Sequence, residues 1–138
     1  MSHHTMKDKI RSLFASGDME ALGRSLNEMA ADNMVQEWPQ SGERIRGKEN
    51  IQAVNENYPA STGTNPKAAL RRILEPGEAW VIESTIDYGD GTPVSLVSIV
   101  EMGEDGKIVH QTDYFANPFP APEWRKKWVE SMDPIAVG

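Results

Sequence analysis

The chain has 138 residues, with 14 lysines and arginines against 21 aspartates and glutamates, a formal net charge of −7. That length suits one domain with its own core, and the acidic balance opposes nonspecific binding to nucleic-acid phosphates. With no cysteine, thiol chemistry and disulfides are excluded. No apolar run reaches the length of a membrane span, and Met1 to Met6 has no apolar signal-peptide segment, so a cytoplasmic location without membrane partners is expected.

In chain order, Lys7 to Ala15 reads as a helix with Ile10, Leu13 and Phe14 on one face. His3 and His4 fall before it on an end expected to fray, where two adjacent imidazoles make no closed metal site. Gly17-Asp18 breaks the pattern, and Asp18 is a credible N-cap for a second helix. There Met19, Leu22, Leu26 and Met29 recur at spacings of three and four, the firmest helical period in the sequence. Asn33 to Trp38 reads as a short strand, weakened at Pro39. After a turn with Gly42 and Gly47, a third helix is expected over Lys48 to Tyr58, stopped by Pro59. Ala60 to Pro66 is a loop of small residues.

The second half turns to extended segments: Ala68 to Leu74, Ala79 to Tyr88, Val94 to Met102 and Lys107 to Phe115. Their separators, Pro76-Gly77, Gly89-Asp90-Gly91 and Gly103 to Gly106, are turn residues too few for a crossover helix, so neighbouring strands should run antiparallel. Three prolines at alternate positions stiffen Asn117 to Pro122. A short helix over Glu123 to Glu130 would then set Trp124 and Trp128 on one face, packed on the domain or a partner subunit. The expectation is a single α+β domain over 1–138, with 117–138 as a Pro- and Trp-containing extension. If an antiparallel sheet bends around three N-terminal helices, the layers meet at one end and part at the other, leaving an internal pocket.

Several side chains carry chemistry in that arrangement. Asp113 sits among strand formers, where an isolated carboxylate is costly to bury. It reads as a general base or acid in a pocket, or as the partner of Arg71 or Arg72. His110 stands alone outside the terminal pair and could pass a proton near neutral pH, but alternation puts it on the face opposite Asp113. Glu83 could meet Asp113 from a neighbouring strand, or belong to a solvent-facing row with Val81, Thr85 and Asp87. Trp38 and Tyr58 read as pocket wall or as core, and Tyr88 and Tyr114 as further hydroxyl donors to a ligand oxygen. Glu37 is ambiguous in the same way as Glu83. Arg44 and Arg46 could meet an anion at the mouth or balance Glu43 and Glu49.

The segment Gly17-Asp18-Met19-Glu20-Ala21-Leu22, followed by Ala31-Asp32-Asn33-Met34-Val35, resembles the opening of SnoaL-like domains. Gly42-Glu43-Arg44-Ile45-Arg46-Gly47-Lys48-Glu49-Asn50-Ile51 resembles their turn into the next helix. Gly106-Lys107-Ile108-Val109-His110, leading to Asp113-Tyr114-Phe115, resembles their last strand. The resemblance covers about Met6 to Phe115. It implies the cone-shaped α+β fold of the nuclear-transport-factor-two-like superfamily, in which three helices pack on a strongly curved antiparallel sheet, and pairing of domains into homodimers. It implies no single activity, and an acidic residue before the Tyr-Phe pair often faces the cavity in that family. The acid–arginine–acid arrangement of limonene-epoxide hydrolase is not matched, because the third strand reads Glu83-Ser84-Thr85-Ile86-Asp87 without an Arg-x-Asp partner.

Phosphate loops, HExxH and GxSxG are absent from the sequence, so no cofactor or metal is expected. Two function classes follow. One is a pocket for a small apolar or mixed-polarity organic molecule, with isomerase, cyclase or hydrolase chemistry. There Asp113 moves the proton, His110 or Glu83 helps, and Trp38, Tyr58, Tyr88 or Tyr114 orients the ligand. The other is a noncatalytic ligand-binding or subunit-association domain.

Overall fold

A computed structural model describes residues 3–74 and 79–132, with side chains from residue 7 onward. The elements are α1 (His3–Leu13), α2 (Met19–Glu28), β1 (Ala30–Trp38), β2 (Glu43–Arg46), α3 (Lys48–Thr62), β3 (Lys67–Leu74), β4 (Ala79–Asp87), β5 (Pro93–Met102) and β6 (Ile108–Ala116), with a 3₁₀ turn at Glu123–Trp128. The strands lie in one open sheet in the order β2-β1-β6-β5-β4-β3. Among the described residues no helix is long and apolar enough to cross a membrane.

Local chemistry explains most boundaries. The Asp18 carboxylate caps α2 by accepting the Glu20 N–H at 3.2 Å. Gly17, at φ 71°, takes the left-handed turn before it, and its carbonyl accepts the Ala68 N–H at 2.8 Å, which ties the α1–α2 turn to the start of β3. Helix α3 packs against α2 and β1.

Three expectations are corrected. Only α1 and α2 precede the first strand; α3 follows the β1–β2 hairpin, so the three N-terminal helices are two plus one inserted between strands. The sheet is mixed, because β1 pairs parallel with β6 while every other pairing is antiparallel. It is also open, with edges at β2 and β3, and not the strongly curved, cone-forming sheet anticipated. Hairpin turns dictate only pairings between strands adjacent in sequence, and β1 meets a partner about 75 residues on, a contact no turn encodes.

Helix α3 also runs past Pro59 to Thr62. It ends at Gly63, whose φ of 73° supplies a left-handed C-cap and whose N–H reaches the Pro59 carbonyl at 2.8 Å. The backbone at His3 and His4 is helical rather than frayed. The Pro76-Gly77 turn lies outside the described residues. Trp124 and Trp128 are 72 % and 70 % exposed, so of the two packings expected for them, on the domain or on a partner subunit, the first is not made.

The core has two parts. Ile10, Met34, Ile51, Ile73, Trp80, Ile82, Val100 and Ile108 form the larger with Ala30. Leu22, Ala68, Ile86, Val94 and Leu96 form the other. Both send side chains from one face of the sheet toward the helices, and both contribute to the wall of the cavity described next.

Candidate functional site

Between the helices and the sheet lies a cavity of about 440 Å³, within the size range of small-molecule sites. Its wall is mainly apolar: Ile10, Leu13 and Leu26 from the first two helices, Phe14 from the turn between them, Ile51 and Val54 from α3, and Ile82, Leu96 and Val100 from the sheet. Strand alternation decides which polar groups reach it. In β6 the odd positions Gln111, Asp113 and Phe115 face the cavity; in β5 the even position Ser98 does, and in β1 Gln36 and Trp38 do.

Asp113 is the buried carboxylate among these, 3 % exposed. One of its oxygens, Oδ1, accepts the Ser98 hydroxyl at 2.7 Å and the Gln111 amide at 3.0 Å. The other, Oδ2, accepts the Gln36 amide at 2.6 Å and the Trp38 indole N–H at 3.2 Å. The sheet assembles this shell. Ser98 is the direct antiparallel partner of Asp113 across β5 and β6. The parallel register of β1 on β6 sets Gln36 beside Gln111 and so brings Trp38 alongside Asp113. Four donors match the lone-pair capacity of a carboxylate.

Of the residues singled out from sequence, Asp113, Trp38, Tyr58 and Tyr88 line the cavity. The Trp38 and Phe115 rings meet edge to face with centroids 6.3 Å apart, and Tyr58 and Tyr88 lie 6.0 Å apart. Burial first, then the neighbouring Tyr58 and the Asp113 charge, push the Tyr88 hydroxyl up to about 12. It therefore remains an O–H donor throughout the neutral range. Because the folded value is raised, Tyr88 supports the fold fully below pH 10, its ordinary value, and that support is lost as pH rises toward about 12. In a fast alkaline titration read at 295 nm, Tyr88→Phe should remove a phase centred near pH 12. Loss of a phase near pH 10, ordinary for tyrosine, would contradict this placement.

His110, Glu83 and Tyr114 are not brought to Asp113. His110 is on the opposite face of the sheet, where its Nδ1 lies 2.6 Å from Glu101 and its Nε2 2.5 Å from Glu37. Glu37 in turn accepts Arg44 Nε and Nη2 at 2.9 and 2.8 Å. The Arg44 guanidinium first, then His110, holds the Glu37 carboxyl below the usual range. Glu83 pairs with Arg71 and Arg72, so neither arginine is the partner of Asp113. Tyr114 is half exposed on that same outer face. The reason is parity: each of these residues is an odd number of positions away from cavity-facing neighbours on its strand.

Gln36, Ser98 and Gln111 escaped the sequence reading. Gln111 carried a usable signal, two positions before Asp113 on one strand and therefore on its face. Ser98 and Gln36 become neighbours of Asp113 only through sheet register.

No family model and no curated protein matches the sequence. Among solved structures, an NTF-2 like protein of unknown function from Burkholderia xenovorans LB400 superposes with a TM-score of 0.72 at 34% identity, over 93% of this chain and 99% of that one. The chain belongs to the NTF2-like superfamily. This NTF2-like domain also shares its fold with a proposed ketosteroid isomerase from Kribbella flavida DSM 17836, at a TM-score of 0.73 and 22% identity over 96% of this chain and 97% of that one. A SnoaL-like protein of unknown function from Burkholderia thailandensis E264 matches with a TM-score of 0.60 and 15% identity, over 82% of this chain and 92% of that one. Asp113 and its donors lie where the helices cover the sheet face.

Proposed function

We propose that this NTF2-like domain holds a small, largely apolar organic molecule in its cavity, and that Asp113 moves a proton on it. The observation that carries the reading is a single buried carboxylate set in the wall of an apolar cavity of about 440 Å³. In the concrete form, Asp113 takes a proton from a carbon beside a carbonyl, the C–H electron pair shifts toward the carbonyl oxygen, and the Tyr88 O–H donates to that oxygen. Return of the proton to another carbon completes an isomerisation. The isomerase proposed for the Kribbella flavida relative supports this class of chemistry. Trp38 has two duties: it walls the cavity and donates to Asp113.

A second reading rests on a specific observation. Each Asp113 oxygen already accepts two hydrogen bonds, so proton transfer requires one donor to turn away; the Ser98 hydroxyl, which rotates freely about its C–O bond, is the least costly. If none turns away, the domain binds its ligand without reacting.

Hydrogen exchange separates the two. Apolar ketones and amino-ketones that raise the melting temperature of the protein are incubated with it in D₂O, and loss of the α-proton signal is followed by NMR. The wild type should wash deuterium into at least one binder, and Asp113→Asn should bind it without exchange. Equal exchange by the variant would remove Asp113 from the chemistry. Binding with no exchange in the wild type would establish the noncatalytic reading.

A further inference from the structure

A carboxylate buried in a protein normally meets a cation, or is held in its charged form by several hydrogen-bond donors. Elsewhere in this domain the cation is present: Glu37 has Arg44, Glu83 has Arg71 and Arg72, and Glu20 has Arg24. Asp113 is different. Its four donors are two amides, an indole and a hydroxyl, all neutral. Among the described residues that line the cavity none is lysine, arginine or histidine, while the lining also holds Glu43 and Glu20, the latter paired with Arg24. Hydrogen bonds satisfy the lone pairs of Asp113 but do not cancel its charge. The cavity is therefore a low-dielectric space with a negative potential, and that potential repels anions and attracts cations.

The ring faces reinforce the same sign. Trp38, which donates to Asp113, forms an aromatic corner with Phe115, and Tyr58 pairs with Tyr88, whose hydroxyl senses the Asp113 charge. Aromatic faces attract alkylated ammonium groups through their quadrupoles, and they do so most strongly where water is excluded. The rest of the wall is aliphatic and suits an apolar body.

We propose that the ligand of this cavity is a cation: an apolar tertiary or quaternary amine whose nitrogen lies toward Asp113 and the surrounding rings. This rests on the cavity being a ligand site, and not on Asp113 acting as a base.

Three probes of similar shape test it by isothermal titration calorimetry: benzyltrimethylammonium, the neutral 2-methyl-1-phenylpropan-2-ol and the anionic phenylmethanesulfonate. The cation should bind about tenfold tighter than the alcohol, and the sulfonate weakest of the three. Asp113→Asn should weaken the cation about tenfold and leave the alcohol nearly unchanged. Comparison of the probes on the wild-type protein decides the matter even if that variant folds poorly. Equal binding of cation and alcohol, or preference for the sulfonate, overturns the charge preference while the pocket reading stands. Failure of all three to bind overturns both.

Discussion

Asp113→Ala should lower the stability of the fold by about 3 kcal/mol, while Asp113→Asn should stay within about 1 kcal/mol of the wild type. The difference comes from the four donors. Alanine leaves the Gln36, Trp38, Ser98 and Gln111 donors facing a gap in a buried site, and each stranded donor carries a desolvation cost. Asparagine retains one acceptor oxygen but brings an NH₂ group. The Trp38 indole N–H can only donate, so the asparagine oxygen must turn toward Trp38 and Gln36. Its NH₂ group then faces Ser98 and Gln111, which can both adapt: the hydroxyl by rotation and the amide by turning its oxygen inward. Loss of the uncompensated charge offsets part of what remains. Urea midpoints for the two variants, at constant m, check this. Equal losses for alanine and asparagine would mean that the donor shell is not organised around an acceptor.

Ile86→Ala should cost about 3 kcal/mol and leave ligand binding intact. Ile86 is fully buried, at 0 % exposure. It faces Ala68 across β3 and Val94 across β5, and both belong to its own core cluster. With neighbours held in sheet register on both sides, the site has little freedom to collapse around the missing atoms, which places the cost in the middle of the range for such truncations. Ile86 is not part of the cavity wall, so the probe affinities should be retained at temperatures where the variant is folded. A loss below about 1 kcal/mol would show that this part of the core repacks freely.

The two Asp113 variants and Ile86→Ala probe different kinds of information in the sequence. Ile86 was legible: it alternates with Ile82 on the apolar side of a strand bounded by turn residues, and such period-two signals are local. The antiparallel run from β3 to β6 was legible for the same reason, through Gly89-Asp90-Gly91 and the Gly103 to Gly106 turn. Alternation also placed His110 and Asp113 on opposite faces, and their observed partners lie on opposite sides of the sheet.

The donor shell was not legible, because three of its four members, Ser98, Gln36 and Trp38, arrive through register. Gln36 and Trp38 reach Asp113 across the parallel β1–β6 pairing, which depends on where the first hairpin docks and on no short motif. The placement of α3 between β2 and β3 had a related cause: its helical pattern was clear, but its order relative to the sheet was absorbed into an N-terminal helical layer. Pro59 misled for a different reason. Its penalty as a helix breaker was outweighed by one more turn ending on the left-handed Gly63 cap.

The central claim is that a ligand enters this cavity and meets Asp113 and Trp38. Its most direct test uses the four indole N–H signals of the protein. In a ¹H–¹⁵N spectrum, with Trp38 assigned through Trp38→Phe, added benzyltrimethylammonium should shift the Trp38 indole, whose N–H donates to Asp113. The signals of the exposed Trp124 and Trp128 should remain in place. A spectrum in which Trp124 or Trp128 moves and Trp38 does not would put the cation on the outer surface and contradict the account.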